Sequence, residues 1–132
     1  MRQRTMGMVA LAAVCVTALA PSSVAQVGVA RKVLLQKDLP IPGYEVLLLE
    51  VSIASGGREG RHSHAATLVA HVIEGELTME LEGQPTKVFK AGESALIEPR
   101  QVHEGINKGS VPVKAFVTFI AEKGKPLSTP VP

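Results

Sequence analysis

The chain has 132 residues, with 14 Lys+Arg against 12 Asp+Glu and a formal net charge of +2. A balance this close to neutral excludes the basic surface of a typical nucleic-acid-binding domain. With no Trp, one Tyr and three Phe, it also excludes a set of aromatic platforms for stacking bases. The length allows one domain, or one domain behind a removable leader.

The first element reads as such a leader. Arg2 and Arg4 form a short basic end, Met6 to Ala20 carry no charge, and Pro21-Ser22-Ser23-Val24-Ala25 follows. Basic, apolar and then small residues are the layout of a secretory signal, with the cut expected after Ala25. The apolar stretch is shorter than the ~20 residues that span a bilayer, so residues 1–25 predict a cleaved signal peptide and no membrane contact afterwards. Cys15, the one cysteine, lies inside the leader behind Val14, which is not the small residue that lipoprotein processing uses. The expected mature chain starts at Gln26, is exported to the periplasm or beyond, and is neutral and cysteine-free. No disulfide can hold it together, so packing must do so, with a metal or a subunit partner as possible help.

The next part, residues 26–43, reads as an N-terminal arm with an edge strand at Val33–Gln36, stopped by Pro40 and Pro42. Tyr44 to Ala54 is a run rich in Val, Leu and Ile, ended by Ser55-Gly56-Gly57. Thr67 to Ile73 is a continuous apolar run, as expected of a strand covered on both faces. Glu76 to Glu82 alternates, with Leu77, Met79 and Leu81 on one face and Glu76, Thr78, Glu80 and Glu82 on the other. Shorter strands fit Lys87–Lys90 and Ser94–Ile97, and a longer one fits Val113–Ala121. No sustained 3.6-residue period follows residue 25. Short strands with turn residues every 8–12 positions predict an all-β sandwich or barrel over residues 44–121. Residues 122–132 carry Pro126, Pro130 and Pro132 and read as an extended tail.

Four histidines carry the chemistry. His62 and His64 are two apart, which on an extended chain puts both imidazoles on one face. Imidazole is the commonest protein ligand of transition metals. Alone, the pair reads more readily as a solvated loop pair than as a chelate. Its setting adds more: Gly56 stands six before His62, and Gly75 eleven after His64. A second segment follows, with Gly92, Glu98, Pro99, Arg100, His103 and Asn107 in order.

These two ordered segments resemble the two motifs of the cupins, G-x5-H-x-H-x3–4-E-x6-G and G-x5-P-x-G-x2-H-x3-N. The likeness covers about residues 44–121, and the ending Glu122 to Pro130 is similar to that of small exported cupins. The resemblance implies a cupin-type β-barrel, a double-stranded β-helix of jelly-roll kind, with a site inside it. It implies His62, His64 and His103 as ligands of one divalent metal ion (Zn, Fe, Mn, Ni or Cu), a small-molecule ligand, and a homodimer joined through an N-terminal arm, here residues 31–39.

Four positions depart from the pattern. The motif glutamate is absent: its position falls at Leu68, and no carboxylate lies between Glu59 and Glu74. Loss of a hard anionic ligand weakens Mn²⁺ most, while three neutral imidazoles still suit Zn²⁺ or Fe²⁺. His71 lies three residues beyond Leu68, so alternation points it to the opposite face unless a bulge turns it inward. Glu98 and Arg100 stand where the motif has Pro and Gly, with Pro99 still there to set the turn; beside His103, Glu104 is a candidate supporting carboxylate, although alternation faces it away. Catalytic residues are not assignable. Three readings remain: a metal-dependent enzyme of oxygenase-like or isomerase-like kind, a non-catalytic binding module, and a metal-free degenerate barrel kept for assembly.

Overall fold

The computed structural model describes residues 26–132; the leader assigned to residues 1–25, with Cys15, lies outside the described residues. Among the described residues, all ten regular elements are strands: β1 (Val27–Asp38), β2 (Tyr44–Arg58), β3 (His62–Ser63), β4 (Ala66–Glu74), β5 (Glu76–Leu81), β6 (Lys87–Lys90), β7 (Ser94–Ile97), β8 (His103–Ile106), β9 (Val113–Glu122) and β10 (Thr129–Pro130). Five form one side in the order β1-β2-β9-β4-β7, and five the other in the order β6-β5-β8-β3-β10. All pairs are antiparallel.

The sides join where β2 bends through Ser55-Gly56-Gly57 and its Arg58 pairs with Ile106 of β8. Gly57 is required there: a Cβ would meet the carbonyls of Ala54 and Val27 at 2.8 and 2.9 Å. Asn107 clamps the corner. It is almost fully buried, its amide donates to the carbonyls of Ile53 and Val111, and its Oδ1 accepts the Gly109 N–H.

Strand alternation builds the interior. Leu47, Leu49, Val51 and Ile53 of β2, Ala66, Leu68, Ala70 and Val72 of β4, and Val113 to Ala121 at every second residue of β9 all point inward and are buried. This corrects the expectation for Thr67–Ile73. That run is covered on one face only: Val69 is 40% exposed and Thr67, His71 and Ile73 are half-buried. Apolar residues stand on the outer face as well, so sequence periodicity could not separate the two sides.

Four further elements extend the sequence reading. The edge strand is longer than Val33–Gln36, because β1 follows β2 from Val27 to Asp38 through two register shifts. β3 and β10, of two residues each, and β8, of four, carry or adjoin the histidines and have too few residues to show a period. The tail turns at Lys123–Gly124 and bends at Lys125 and Leu127 before it pairs, with Thr129 opposite Ser63 and Pro130 opposite His62.

Candidate metal centre

His62 and His64 flank Ser63 and so share the inner face of the chain at β3. His103 opens β8 directly opposite His62. The ring centroids are 4.4 Å apart for His62 and His103, 4.7 Å for His62 and His64, and 5.0 Å for His64 and His103. One ring nitrogen of each lies within 4.8 Å of the other two, and all three residues are buried.

Hydrogen bonds fix which nitrogen each ring offers. Nδ1 of His62 lies 2.7 Å from the Gly60 carbonyl, that of His64 2.6 Å from the Leu127 carbonyl, and that of His103 2.9 Å from the Gln101 carbonyl. A carbonyl oxygen only accepts, so each Nδ1 carries the proton and each Nε2 keeps its lone pair. Nε2 of His64 is buried without any partner. Burial holds the His64 and His103 rings neutral: it lowers both to about 4, outweighing the opposite pull of their carbonyl partners. Three oriented, unprotonated nitrogens with a buried orphan among them are the donor set of a three-histidine metal site. The residues present therefore fit a divalent ion.

The rings open on a cavity of about 210 Å³ inside the barrel. Leu49, Val51, Leu77, Met79, Val117 and Phe119 give most of its wall an apolar character, and Phe119 packs edge-on against His64 at 4.9 Å. Leu68 faces the cavity, so the position where the motif glutamate would stand is filled by an alkyl chain. Arg31, Glu59, Gln26 and Ser128 supply the remaining charge and polarity. Arg31 sits opposite inward-facing Val51, and its guanidinium donates to Glu59 and Gln26 at 2.8 Å each. Glu59 lies across the α-carbon of Gly105, where a Cβ would come within 2.5 Å of its carboxylate.

Glu59 and Arg31 escaped the sequence reading. Glu59 sits just past the β2 bend, and β1 was assigned too short to include Arg31. The parity of Arg31 with inward-facing Val51 was the available signal, but it needs the β1–β2 register.

The other candidate residues lie outside the cavity. His71 is on the outer face of β4, where its Nδ1 meets Ser94 Oγ at 2.8 Å. Glu104 alternates away from His103 and is buried at 2% exposure by the two nitrogens of Arg58 at 2.6 Å each. Hydrogen bonding to Arg58 holds its carboxyl below the usual range against the cost of burial. It also accepts the Gly60 N–H at 3.0 Å, and Gly60 is the residue whose carbonyl orients His62. Glu104 therefore supports His62 through the backbone. Arg100 takes the left-handed conformation, φ 64°, and its N–H donates to the His64 carbonyl at 2.7 Å.

A family profile described as a cupin domain matches residues 49–119. Among solved structures, a polyketide cyclase from Streptomyces resistomycificus superposes with a TM-score of 0.66 at 19% identity, over 81% of this chain and 73% of its own. A cupin-like protein from Thermotoga maritima gives 0.64 at 18%, over 78% and 75%. An oxalate oxidase in complex with glycolate gives 0.61 at 25%, over 74% of this chain and 53% of its own, so this chain spans about half its length. No curated protein matches the sequence.

Proposed function

The chain belongs to the cupin domain family, and from that premise we propose that it binds one divalent metal ion through Nε2 of His62, His64 and His103 and takes a small molecule into the adjoining cavity. The observation that carries this reading is the common tautomer: three backbone carbonyls hold three protons on Nδ1 and leave three Nε2 atoms to one ion. Such an ion would act as a Lewis acid toward a bound oxygen atom or water. The protein's own part is to exclude water, orient the three rings and seat the ligand against an apolar wall. With Arg31 already paired to Glu59, a dianion as small as oxalate would find little compensation here. The lining supports a ligand with an apolar body and a single oxygen-bearing end.

A second reading is a non-catalytic binder. Leu68 favours it, because without the carboxylate the ion has one ligand fewer and a weaker hold. Export, read from residues 1–25, is the proposed setting in either case. The protein should first be purified without added metal or a histidine tag. Near-stoichiometric metal that disappears in a His62→Ala/His64→Ala variant supports the site; metal content that does not change rejects it. Oxygen uptake across a panel of small acids and thiols then separates enzyme from binder.

A further inference from the structure

We propose that Lys125–Pro130 is a strap that completes the metal centre, with Leu127 acting as a positioning residue: its backbone carbonyl selects the metal-binding tautomer of His64. The proposal rests on the reading of the three histidines as a metal site. His62 and His103 receive their Nδ1 partners locally, from carbonyls two residues earlier, Gly60 and Gln101. Those partners come with the turn that presents the ring. His64 has no such partner, because its Nδ1–H reaches the Leu127 carbonyl, 63 residues along the chain.

The strap is built to hold that carbonyl in place. Thr129 and Pro130 pair with Ser63 and His62, and the Val131 N–H donates to the Arg61 carbonyl at 2.9 Å. Arg61 in turn donates to the Pro132 carbonyl at 3.3 Å. The Leu127 side chain packs on the core, and with Ser128 it lines the cavity. One short segment thus orients the third ligand and closes part of the cavity wall. Without it, nothing in the described residues selects Nδ1–H over Nε2–H in His64. In the Nε2–H form the lone pair sits on Nδ1, on the side turned toward Leu127, and none is left on Nε2 for an ion shared with the other rings. The ring would also lose the bond that fixes its rotation.

The test compares the full chain with one ending at Gly124, both prepared without metal. Co²⁺ is the probe, followed by its visible absorption. In the metal-free proteins, ¹⁵N correlation spectra of the imidazoles report each tautomer. The shortened chain should bind Co²⁺ about 10–100-fold more weakly, the usual cost of losing a partner to a ligating histidine. Its His64 should lose the pure Nδ1–H pattern while His62 and His103 keep theirs, and a saturating peptide of residues Lys125–Pro132 should restore both properties. Leu127→Ala in the full chain keeps the carbonyl but loses the apolar anchor. It should weaken Co²⁺ several-fold, and it decides the matter if the shortened chain does not fold. Equal Co²⁺ affinity in the shortened chain or in Leu127→Ala, or an unchanged His64 tautomer, overturns the proposal. If the full chain binds no Co²⁺, the metal reading fails, and the tautomer comparison in metal-free protein still decides whether the strap positions His64.

Discussion

His62 and His103 stand directly opposite one another across the β3–β8 pair, with ring centroids 4.4 Å apart. A cross-strand pair of this kind is rigid in a way that a loop pair is not, since the ladder fixes both backbones. His103→Ala should therefore cost more metal affinity than losing a supporting group does. Removing the ligand should weaken Zn²⁺ by more than ~100-fold, above the range for supporting partners. Calorimetric titration of untagged protein checks this. Retained affinity would mean that the β3 pair binds metal without its partner.

How much of this was legible beforehand depends on the range of the contact. His62 and His64 share a face by parity, a local property; β5 shows itself by alternation, and β2 and β4 by apolar runs between turn residues. The partnership of His103 with them rested on a resemblance, because no spacing rule brings residues 62 and 103 together. Leu127 and Glu59 were out of reach for the same reason. One depends on a strand pairing across more than sixty residues, the other on how β2 bends at Gly57. The outward-facing apolar residues Val69 and Ile73 misled the reading of β4, since apolarity reports burial only when the outer face is polar.

Leu68 faces the cavity at 4% exposure, beside the histidines. Leu68→Glu should move stability in two directions. In metal-free protein it buries an unpaired carboxyl and should cost on the order of 3 kcal/mol. With Mn²⁺ or Fe²⁺ the carboxylate becomes a ligand, and the thermal midpoint should rise above that of the metal-free variant by more than the wild-type protein gains. Thermal scans with and without Mn²⁺ measure both. Equal metal responses in variant and wild type would show that residue 68 does not reach the ion.

The pH dependence of metal-free stability follows from the same burial. His64 and His103 fall to about 4 in the folded state, against 6.5 when unfolded. Between those values the unfolded chain binds more protons, so stability rises with pH. It is fully present above pH 6.5 and declines as the pH falls toward 4, by up to ~3 kcal/mol for each histidine. Urea unfolding at pH 7.5, 6 and 5 in the presence of a chelator measures the slope. A profile flat across that range would contradict neutral buried rings.

Arg100 holds a left-handed backbone that costs an L-residue ~1–2 kcal/mol and a glycine almost nothing. Arg100→Gly should remove that cost, offset in part by the greater freedom of glycine in the unfolded chain, for a net gain of ~0.5–1 kcal/mol. The N–H that donates to the His64 carbonyl is retained, so metal affinity should not change. Urea midpoints and a Zn²⁺ titration check the two halves. A loss of stability would mean that the Arg100 side chain makes a contribution larger than the strain.

The outer face of β9, β4 and β7 is unusually apolar for a surface. Val69 is 40% exposed, Leu96 58%, Phe116 36% and Ile120 46%. The registers make them neighbours: Val69 opposes Leu96 on one side and Thr118 on the other, between Phe116 and Ile120. Across β2, Leu35 of β1 adds a further exposed apolar chain at 47%. Patches of this kind on a small protein mark an interface more often than a solvated wall. We therefore propose that two copies pair through this face, with β1 at its margin, burying ~800 Å² on each. Light scattering should give a dimer for the protein lacking residues 1–25. Leu96→Lys together with Phe116→Lys should convert it to a monomer with an unchanged circular dichroism spectrum, since neither side chain contributes to the interior. A dimer that survives both substitutions would place the interface elsewhere, and a wild-type monomer would reject the pairing.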